Sequence, residues 1–269
     1  MNFKKLSKYK VAFKISLQHL MAYRFNFIVS RITNVVVLLI FFYLWTALTQ
    51  FQTTFAGYTR EELITYVFGV NIIRALIFGV QTRRVAKEIN QAELSNYLVR
   101  PINFTLFSFM REMAERFIAF LTAILEGIIL ILILKAEIII QSNPTILIFT
   151  AFSIILAIFL YFVLSYLMSL LAFWSREAFG PRFLFEIGLE FSSGVFFPIN
   201  ILSAGFFAFL YALPFAYLIF FPLSIYLGRL DLWQILTGFC FQIFWLGLVS
   251  CLCIITWRKG LRKYAAEGG

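Results

Sequence analysis

The chain is poor in the side chains that most often carry chemistry. Its 269 residues include one histidine, His19, and three cysteines, Cys240, Cys251 and Cys253, which share the last apolar run. Thiols in such a run are typical of small buried hydrophobic residues rather than of a disulfide or a metal set. The sequence also has no G-x-x-x-x-G-K-[ST] phosphate-binding loop. We therefore expect no metal, cofactor or nucleotide site in this chain.

Charged residues are also scarce, and apolar residues take their place. Charged side chains make up 13% of the residues and hydrophobic ones 62%, and the mean hydropathy is +0.89. A soluble domain of this length has too little interior to bury so much apolar surface. The chain is therefore predicted to be an integral membrane protein, with residues 1–269 forming a single transmembrane domain.

Acidic residues are outnumbered by basic ones, 13 to 23, which gives a net charge of +10. In a soluble protein this excess would suggest nucleic acid as a partner. Here the basic residues lie beside apolar runs, and no zinc-ligand spacing or basic-and-aromatic module accompanies them. The anionic lipid of the cytoplasmic leaflet is the expected partner instead, and no nucleic acid is expected.

Six apolar runs are candidates to cross a membrane as helices, which takes about 20 residues for roughly 30 Å of hydrocarbon. The sequence thus predicts an all-α polytopic membrane protein with six transmembrane helices. The runs are Phe27–Leu48, Leu63–Val80, Phe117–Leu134, Ile146–Trp174, Phe183–Phe197 and Leu232–Trp257.

The connections between these runs differ sharply in positive charge. Eighteen Lys and Arg residues lie in the N-terminal arm, in the loops after the second and fourth runs, and in the C-terminal tail. The alternate loops hold only Arg60, Lys135 and Arg229. By the positive-inside rule, both termini are predicted to be cytoplasmic.

The uncharged stretch after the fifth run contains three prolines, and it is too broken to be one straight helix. Because an even number of crossings keeps the basic tail inside, residues 198–227 are predicted to form a re-entrant outer helical hairpin, broken at Pro198, Gly205 and Pro214. The alternative is a long, kinked surface loop. Non-helical backbone at membrane depth is tolerated where protein or water surrounds it, which suggests a closed outer gate. The candidate gate residues are Gly194, Phe197, Pro198 and Pro214.

Two segments are predicted to lie on the cytoplasmic side. Residues 1–25 combine an apolar stripe at helical spacing with lysines on the opposite face, which is typical of an amphipathic interfacial helix. Residues 81–116 form a long loop with charges of both signs, in which "AELSNYL" has helical spacing before Pro101 ends it. A short helix of this kind favours docking onto a partner, and a solvated charged loop is the alternative.

Two motifs resemble those of a known family. "SSGVFFPINIL…LPFAYL" is similar to the "SG-x-x-FP-x-x-x-LP" region of type-2 ATP-binding cassette (ABC) exporter permeases. "AELSNYLVRPIN" is similar to their cytoplasmic "G-x-L-[DE]-x-x-L-x-x-P" stretch, in particular to a subgroup with "L-x-RP". The chain departs from the pattern at Ala92, where glycine is usual, and at Ser95, where an acid is usual. The order of the segments fits the family over the whole length.

The resemblance implies a permease subunit of an ATP-driven exporter in a prokaryotic cytoplasmic (inner) membrane. It implies two partner ATPase subunits, which would bind the ATP and Mg²⁺, and a second permease subunit, identical or a sister chain. The ATPases would dock on the 81–116 loop and on the "SREAFGPRF" turn. The residues assigned to this ATPase coupling are Arg83, Arg84, Lys87, Glu88, Glu93, Leu94, Leu98, Arg100, Pro101, Arg176 and Glu177.

Charges inside the predicted spans each need a reason, because a charge at mid-bilayer costs about 2.5–3.5 kcal/mol. Arg74 and Glu126 are predicted to pair, although Arg74 is close enough to the cytoplasmic end to snorkel. Glu186 and Glu190 lie one helical turn apart and share a face. Glu186 is a candidate partner of Arg182 or Arg176. The two acids are candidates to line a pathway or a subunit interface, where they would meet a cationic or hydroxyl-bearing substrate, and a helix-packing role is the alternative.

Two other classes of function are alternatives to the exporter. An ion-coupled carrier would need repeated halves with broken helices at corresponding positions, and the breaks occur only near the C-terminal end. A membrane-embedded transferase would need a base or a metal cluster, and only His19 is present. The transported substrate and the choice between a homodimer and a heterodimer stay open at this point.

Overall fold

A computed structural model describes residues 24–51, 54–79, 82–175 and 179–264. Residues 1–23, which include most of the predicted amphipathic arm, lie outside the described residues. Arg176 and Glu177 also lie outside them.

The described chain is helical apart from one small antiparallel ribbon. The ribbon is formed by β1 (Thr54–Phe55) and β2 (Tyr58–Thr59), with Phe55 opposite Tyr58. The helices are α1 (Arg24–Leu48), α2 (Arg60–Ile77), α3 (Thr82–Asn90), α4 (Ser95–Leu98), α5 (Phe104–Leu134), α6 (Pro144–Leu170), α7 (Phe179–Ser192), α8 (Ala204–Ala212), α9 (Phe220–Tyr226) and α10 (Leu232–Lys263). Single 3₁₀ turns occur at Leu171–Phe173, Ile199–Ile201 and Pro214–Tyr217.

Local sequence sets where the long helices begin. Thr59 caps α2 in a capping box with Glu62, and Asp231 caps α10 in the same way with Gln234. Asn143 caps α6, whose first residue is Pro144, at a position where the missing backbone donor costs nothing. The sequence therefore places the starts of these helices firmly, whatever packs around them.

Five stretches in the described part of the chain are long and apolar enough to cross a membrane. They are Phe27–Leu48, Arg60–Asn90, Phe104–Leu134, Pro144–Phe173 and Leu232–Lys263. The prediction of an all-α protein with multiple spans is confirmed at this level. The predicted fifth run, Phe183–Phe197, is not among them, because α7 ends at Ser192 after 14 residues.

The predicted loop 81–116 is mostly helix. The third span begins at Phe104 rather than at Phe117, since Asn103 caps α5 and its side chain accepts from the backbone N–H of Leu106 at 3.0 Å. The segment before it contains α3 and the single turn α4. The prediction missed this extension because several charged residues interrupt the apolar pattern of the first turns of α5.

Helices α6 and α10 form the centre of the packing, with the short helix α9 against them. Phe221 of α9 is fully buried and its ring lies where any side chain at Gly238 would be, so glycine allows α9 and α10 to approach. The buried amide of Gln242 donates to the carbonyl oxygens of Ser153, at 2.9 Å, and Tyr217, at 3.0 Å. Apolar packing and this polar bridge together hold α9 inside the bundle.

Residues 198–227 start and finish at the same end of the bundle, which we call the β end because it carries β1 and β2. Near the start, Tyr58 donates to Asn200 at 2.8 Å. Near the finish, the side-chain amide of Gln141 donates to the carbonyl oxygen of Tyr226 at 3.0 Å. We call the opposite end, where the α4 backbone lies near Tyr264, the α4 end.

Between these points the chain reaches well into the bundle. Trp245 donates to the carbonyl oxygen of Ala212, and Gln242 donates to that of Tyr217. Because Gln242 lies ten residues into α10, the turn between α8 and α9 is about 15 Å below the β end. The segment is thus a helical hairpin that goes in and comes back.

The breaks in this hairpin are only partly where the sequence placed them. Pro198 and Pro214 each introduce a 3₁₀ turn, in agreement with the prediction. Gly205 lies inside the first turn of α8, so its assignment as a break is wrong. The chain breaks instead just before α8, where Leu202 and Ser203 are extended.

Candidate functional site

A cavity of about 260 Å³ lies between α1, α2 and α7. Its wall is apolar toward the β end and polar toward the α4 end. Its main apolar lining residues are Val37, Leu38, Phe41, Val67, Val70, Val195 and Phe196. Its main polar lining residues are Arg31, Asn34, Asn71, Arg74, Arg83, Glu186 and Glu190.

The gradient follows from the direction of the helices. Along α1, Arg31 and Phe41 are ten residues apart, so roughly 15 Å of helix separates the charged level from the apolar level. On α2, which runs the opposite way, Val67 and Val70 precede Arg74. The cavity is therefore amphipathic along its length.

Arg74 forms an ion pair with Glu190 at the polar level of the cavity. The predicted pair between Arg74 and Glu126 is wrong. Glu126 lies on α5 and its nearest cation is Arg31 of α1, at 4.0 Å, whereas α7 brings Glu190 to the face of α2 that carries Arg74. The sequence shows which charges are buried in the spans but not which helices become neighbours.

Glu186 joins α7 to α3 at the edge of the cavity. It accepts hydrogen bonds from Arg83 Nε at 3.0 Å and from Arg182 Nε at 2.9 Å. The prediction that Glu186 pairs with Arg182 is confirmed, while Arg83 had been assigned to ATPase docking. Arg182 also donates to the hydroxyls of Ser169 at 2.7 Å and Thr82 at 2.8 Å. These bonds fasten α3 and α6 to α7, the helix that carries both lining acids.

Arg31 is a lining residue that the sequence analysis missed. It interrupts the apolar pattern of the first span, four residues after Phe27, and this interruption was the available signal. Its guanidinium lies 5.5 Å from the ring centre of Phe27 and donates a long hydrogen bond, of 3.4 Å, to the Thr122 hydroxyl. Asn34, one turn further along α1, was missed in the same way.

Two of the residues predicted to contact an ATPase are buried. Glu88 is 1% exposed and accepts from both terminal nitrogens of Arg111, at 2.6 and 3.1 Å, and Leu94 is fully buried. Tyr97 donates to Glu88 at 3.3 Å, and burial raises the pKa of the Tyr97 hydroxyl, which stays protonated as the donor. Glu88 and Leu94 therefore hold α3 and α4 against α5 and are unavailable for docking.

The other predicted coupling residues in this region are exposed at the α4 end. Leu98 is 45% exposed and the neighbouring Val99 is 84% exposed, which is unusual for apolar residues outside a lipid-facing helix. Charged residues surround them on the surface. We call this surface the α4 patch; it comprises Arg84, Lys87, Glu93, Leu98, Val99, Arg100 and Pro101.

The predicted gate residues lie where the chain leaves α7. Gly194 has a left-handed φ of 86°, and its carbonyl oxygen accepts from the buried hydroxyl of Tyr66 at 2.5 Å. The backbone N–H of Phe220 donates to the adjacent Ser193 carbonyl at 2.9 Å. Phe197 packs edge-on against Phe191. Gly194 thus joins the end of α7 to α2 and to the hairpin, while Pro214 lies at the hairpin's inner turn.

Residues 20–268 match the family model described as ABC-2 family transporter protein. No curated protein and no solved structure matches the chain.

Proposed function

Since the chain belongs to the ABC-2 family of transporter proteins as a membrane component, we propose that it is the permease subunit of an ATP-driven exporter. ATP is bound by separate ATPase subunits in this family. We propose two such ATPases and a second permease subunit, identical or a sister chain, as the partners. We place the protein in a prokaryotic inner membrane, with both termini in the cytoplasm. We also assign it to the subgroup with the L-x-RP motif.

The observation that carries the proposal is the continuous link from the exposed α4 patch to the wall of the cavity. The α4 patch begins on α3, with Arg84 and Lys87, and continues through the connection and α4. Helix α3 is bound to α7 through Arg83 and Glu186 and through Thr82 and Arg182. Helix α7 in turn carries Glu190 in the cavity wall. A displacement of the α4 patch is therefore passed on to the cavity by charged contacts rather than by a flexible loop.

In the proposed mechanism, closure of the ATPase pair moves the α4 patch, and α3 pulls α7 with it. A shift of α7 relative to α1 and α2 changes the cavity between them, which is the two-state behaviour that transport requires. The hairpin 198–227 would close the outer side in the resting state. Gly194 would connect the two events, because it joins α7, α2 and the hairpin.

The proposal is tested by the substitution Val99→Asp in the complex with its cassette ATPase. An acidic side chain at the centre of an apolar contact must lose its hydration, so we expect ATPase association to weaken about tenfold or more. Co-purification and ATP turnover in proteoliposomes would measure this. Phe51→Asp is the matched control, because Phe51 is 89% exposed in the connection leading to β1, at the opposite end. Unchanged association of the Val99→Asp protein would contradict the assignment of the α4 patch.

A further inference from the structure

Arg31 is the least committed cation of the cavity. Arg74 and Arg83 each hold a glutamate in a close ion pair, whereas Arg31 approaches Glu126 only to 4.0 Å. Within the described residues, its buried Nε atom has no hydrogen-bond partner. A guanidinium N–H that has no acceptor inside a membrane span costs free energy unless a ligand accepts its hydrogen bond. Such an arginine is therefore a candidate functional residue.

A second donor of the same kind lies on the facing helix. Asn71 of α2 lines the cavity, and its Nδ2 is a buried atom for which the described part of the chain supplies no acceptor. Arg74 lies three residues further along α2, on the same face of that helix. The polar level of the cavity therefore has donors to spare and few free acceptors.

The charge balance around the cavity points the same way. Its acids are occupied: Glu190 is paired with Arg74, and Glu186 accepts from Arg83 and Arg182. Glu126 is the remaining acid nearby, and it faces Arg31 without a close bond. The buried Oε2 of Glu126 has no hydrogen-bond partner among the described residues, but Glu126 does not line the cavity. The charged lining residues are three arginines and two glutamates, so the site has one excess positive charge. A cationic ligand would find both lining acids already paired, whereas an anion would find the free donors of Arg31 and Asn71.

The apolar walls of the cavity indicate that the ligand also has an apolar part. Above the charged level the walls are formed by residues such as Val67, Val70 and Phe41. The volume of about 260 Å³ is at the small end for ligand pockets, and it suits a headgroup with the first part of one chain rather than a large polymer.

We propose that this cavity binds an anionic amphiphile, with Arg31 and Asn71 donating to the oxygens of its phosphate or carboxylate headgroup. Arg74 contributes positive charge and stays bound to Glu190. The inference names the substrate class of the transport pathway and so rests on the proposed function. Its test needs no ATPase, however, so the two can fail separately.

The test compares two amphiphiles with the same chain and opposite headgroup charge, and a headgroup without a chain. The probes are hexadecyl phosphate, hexadecyltrimethylammonium and inorganic phosphate, and the full chain is held in phosphatidylcholine nanodiscs. We expect hexadecyl phosphate to bind at least about tenfold more tightly than the ammonium compound, because its charged oxygens accept hydrogen bonds from the free donors. Inorganic phosphate should bind far more weakly than hexadecyl phosphate, because it leaves the apolar walls empty.

Variants assign the effect to the two donors. Arg31→Gln should weaken hexadecyl phosphate binding about tenfold and Asn71→Leu about threefold, whereas Arg31→Lys should keep most of the affinity. Arg60→Gln is the control, because it removes one positive charge from the β end of α2, outside the cavity. Should Arg31→Gln not fold because Glu126 is left alone, Arg31→Gln with Glu126→Gln keeps the charge balanced and should show the same loss.

The inference is overturned by equal affinity for the two amphiphiles, or by unchanged binding in both Asn71→Leu and the Arg31 variants. Inorganic phosphate binding as tightly as hexadecyl phosphate would overturn the amphiphile assignment. If only the ammonium amphiphile raised the ATP turnover of the complex, the exporter assignment would stand, but the anionic substrate class would be wrong.

Discussion

The charged side chains of this protein fall into two groups according to what surrounds them. Glu88 with Arg111, and Glu112 with Arg116, are pairs buried almost completely between helices. The pairs of the cavity are instead half-open to its interior, with the side chains of Arg74 and Glu190 33% and 29% exposed. The Glu88–Arg111 pair joins α3 to α5, and the Glu112–Arg116 pair lies within α5, where Arg116 also donates to the Ile158 carbonyl of α6 at 3.4 Å. The partly open pairs are accessible from the cavity.

The substitution Glu88→Gln should lower the free energy of unfolding by about 3 kcal/mol, because Arg111 would keep its charge in a buried position without an anion. Thermal or denaturant unfolding in detergent would measure this. Glu93→Gln is the matched control on the same connection, and its exposed side chain predicts a change within about 0.5 kcal/mol. If both variants unfolded alike, Glu88 would not be the structural residue described above.

At this scale the sequence identified the important acids but not all of their partners. It placed Glu186 and Glu190 on one face of a helix from their spacing alone, and the cavity wall contains both. It could not find that Glu190 binds Arg74, since that bond depends on which helices pack side by side. It also treated Glu88 as a surface residue, because no local signal shows that Arg111 lies within reach.

At the scale of elements, the connection from α7 to the hairpin is the least regular part of the fold. Helix α7 is about 20 Å long, too short to span roughly 30 Å of hydrocarbon. The non-helical residues after Ser192 extend its path to Asn200 at the β end. A sixth crossing at this place would therefore need the helix and the extended segment together, and it stays a prediction.

Replacing Gly194 by alanine should cost about 2 kcal/mol of stability. The left-handed backbone is unfavourable for alanine, and the new Cβ would lie 2.6 Å from the Tyr66 hydroxyl and 3.0 Å from Phe220 Cβ. Gly205→Ala is the matched control, because Gly205 is helical and its Cβ would meet nothing within 4 Å. That protein should be as stable as the parent or slightly more so. Thermal unfolding curves of the two variants would separate them, and a stable Gly194→Ala protein would contradict the strained turn.

Helix starts with local caps and breaks at prolines could be predicted, whereas the start of α5 and the break before α8 could not. Thr59, Asn143 and Asp231 form local caps that are legible in the sequence. Four charged residues between Arg111 and Arg116 interrupt the apolar pattern of α5, and the two arginines find buried partners only in the folded chain. The break before α8 carries no proline or glycine, so no local rule places it there.

At the scale of the whole molecule, the two ends of the bundle differ in charge and in contents. The α4 end carries the α4 patch and the basic end of α10, which includes Arg262 and Lys263. The β end carries the ribbon and both ends of the hairpin, fastened by Arg229, which donates to Glu62 at 3.0 Å and lies over the Tyr58 ring. This asymmetry supports the orientation with the α4 end in the cytoplasm.

The orientation is testable with single cysteines in a protein whose Cys240, Cys251 and Cys253 have been replaced. A membrane-impermeant maleimide should label Ser142→Cys in intact cells, since position 142 is exposed between α5 and α6 at the β end. It should label Lys263→Cys only after permeabilisation. Labelling of both positions in intact cells would put them on the same face and would contradict the re-entrant hairpin, whereas labelling of Lys263→Cys alone would invert the proposed orientation.

The sequence by itself determined that this chain is a helical membrane protein, where most of its long helices lie, and that residues 198–227 do not form one straight span. Composition, caps and prolines act locally, so they can be read without knowing the fold. Only the tertiary structure decided which helices enclose the cavity, that Arg74 binds Glu190, and that Arg31 and Asn71 have donors left over. These properties depend on side chains that are distant in sequence, and helix packing alone brings them together.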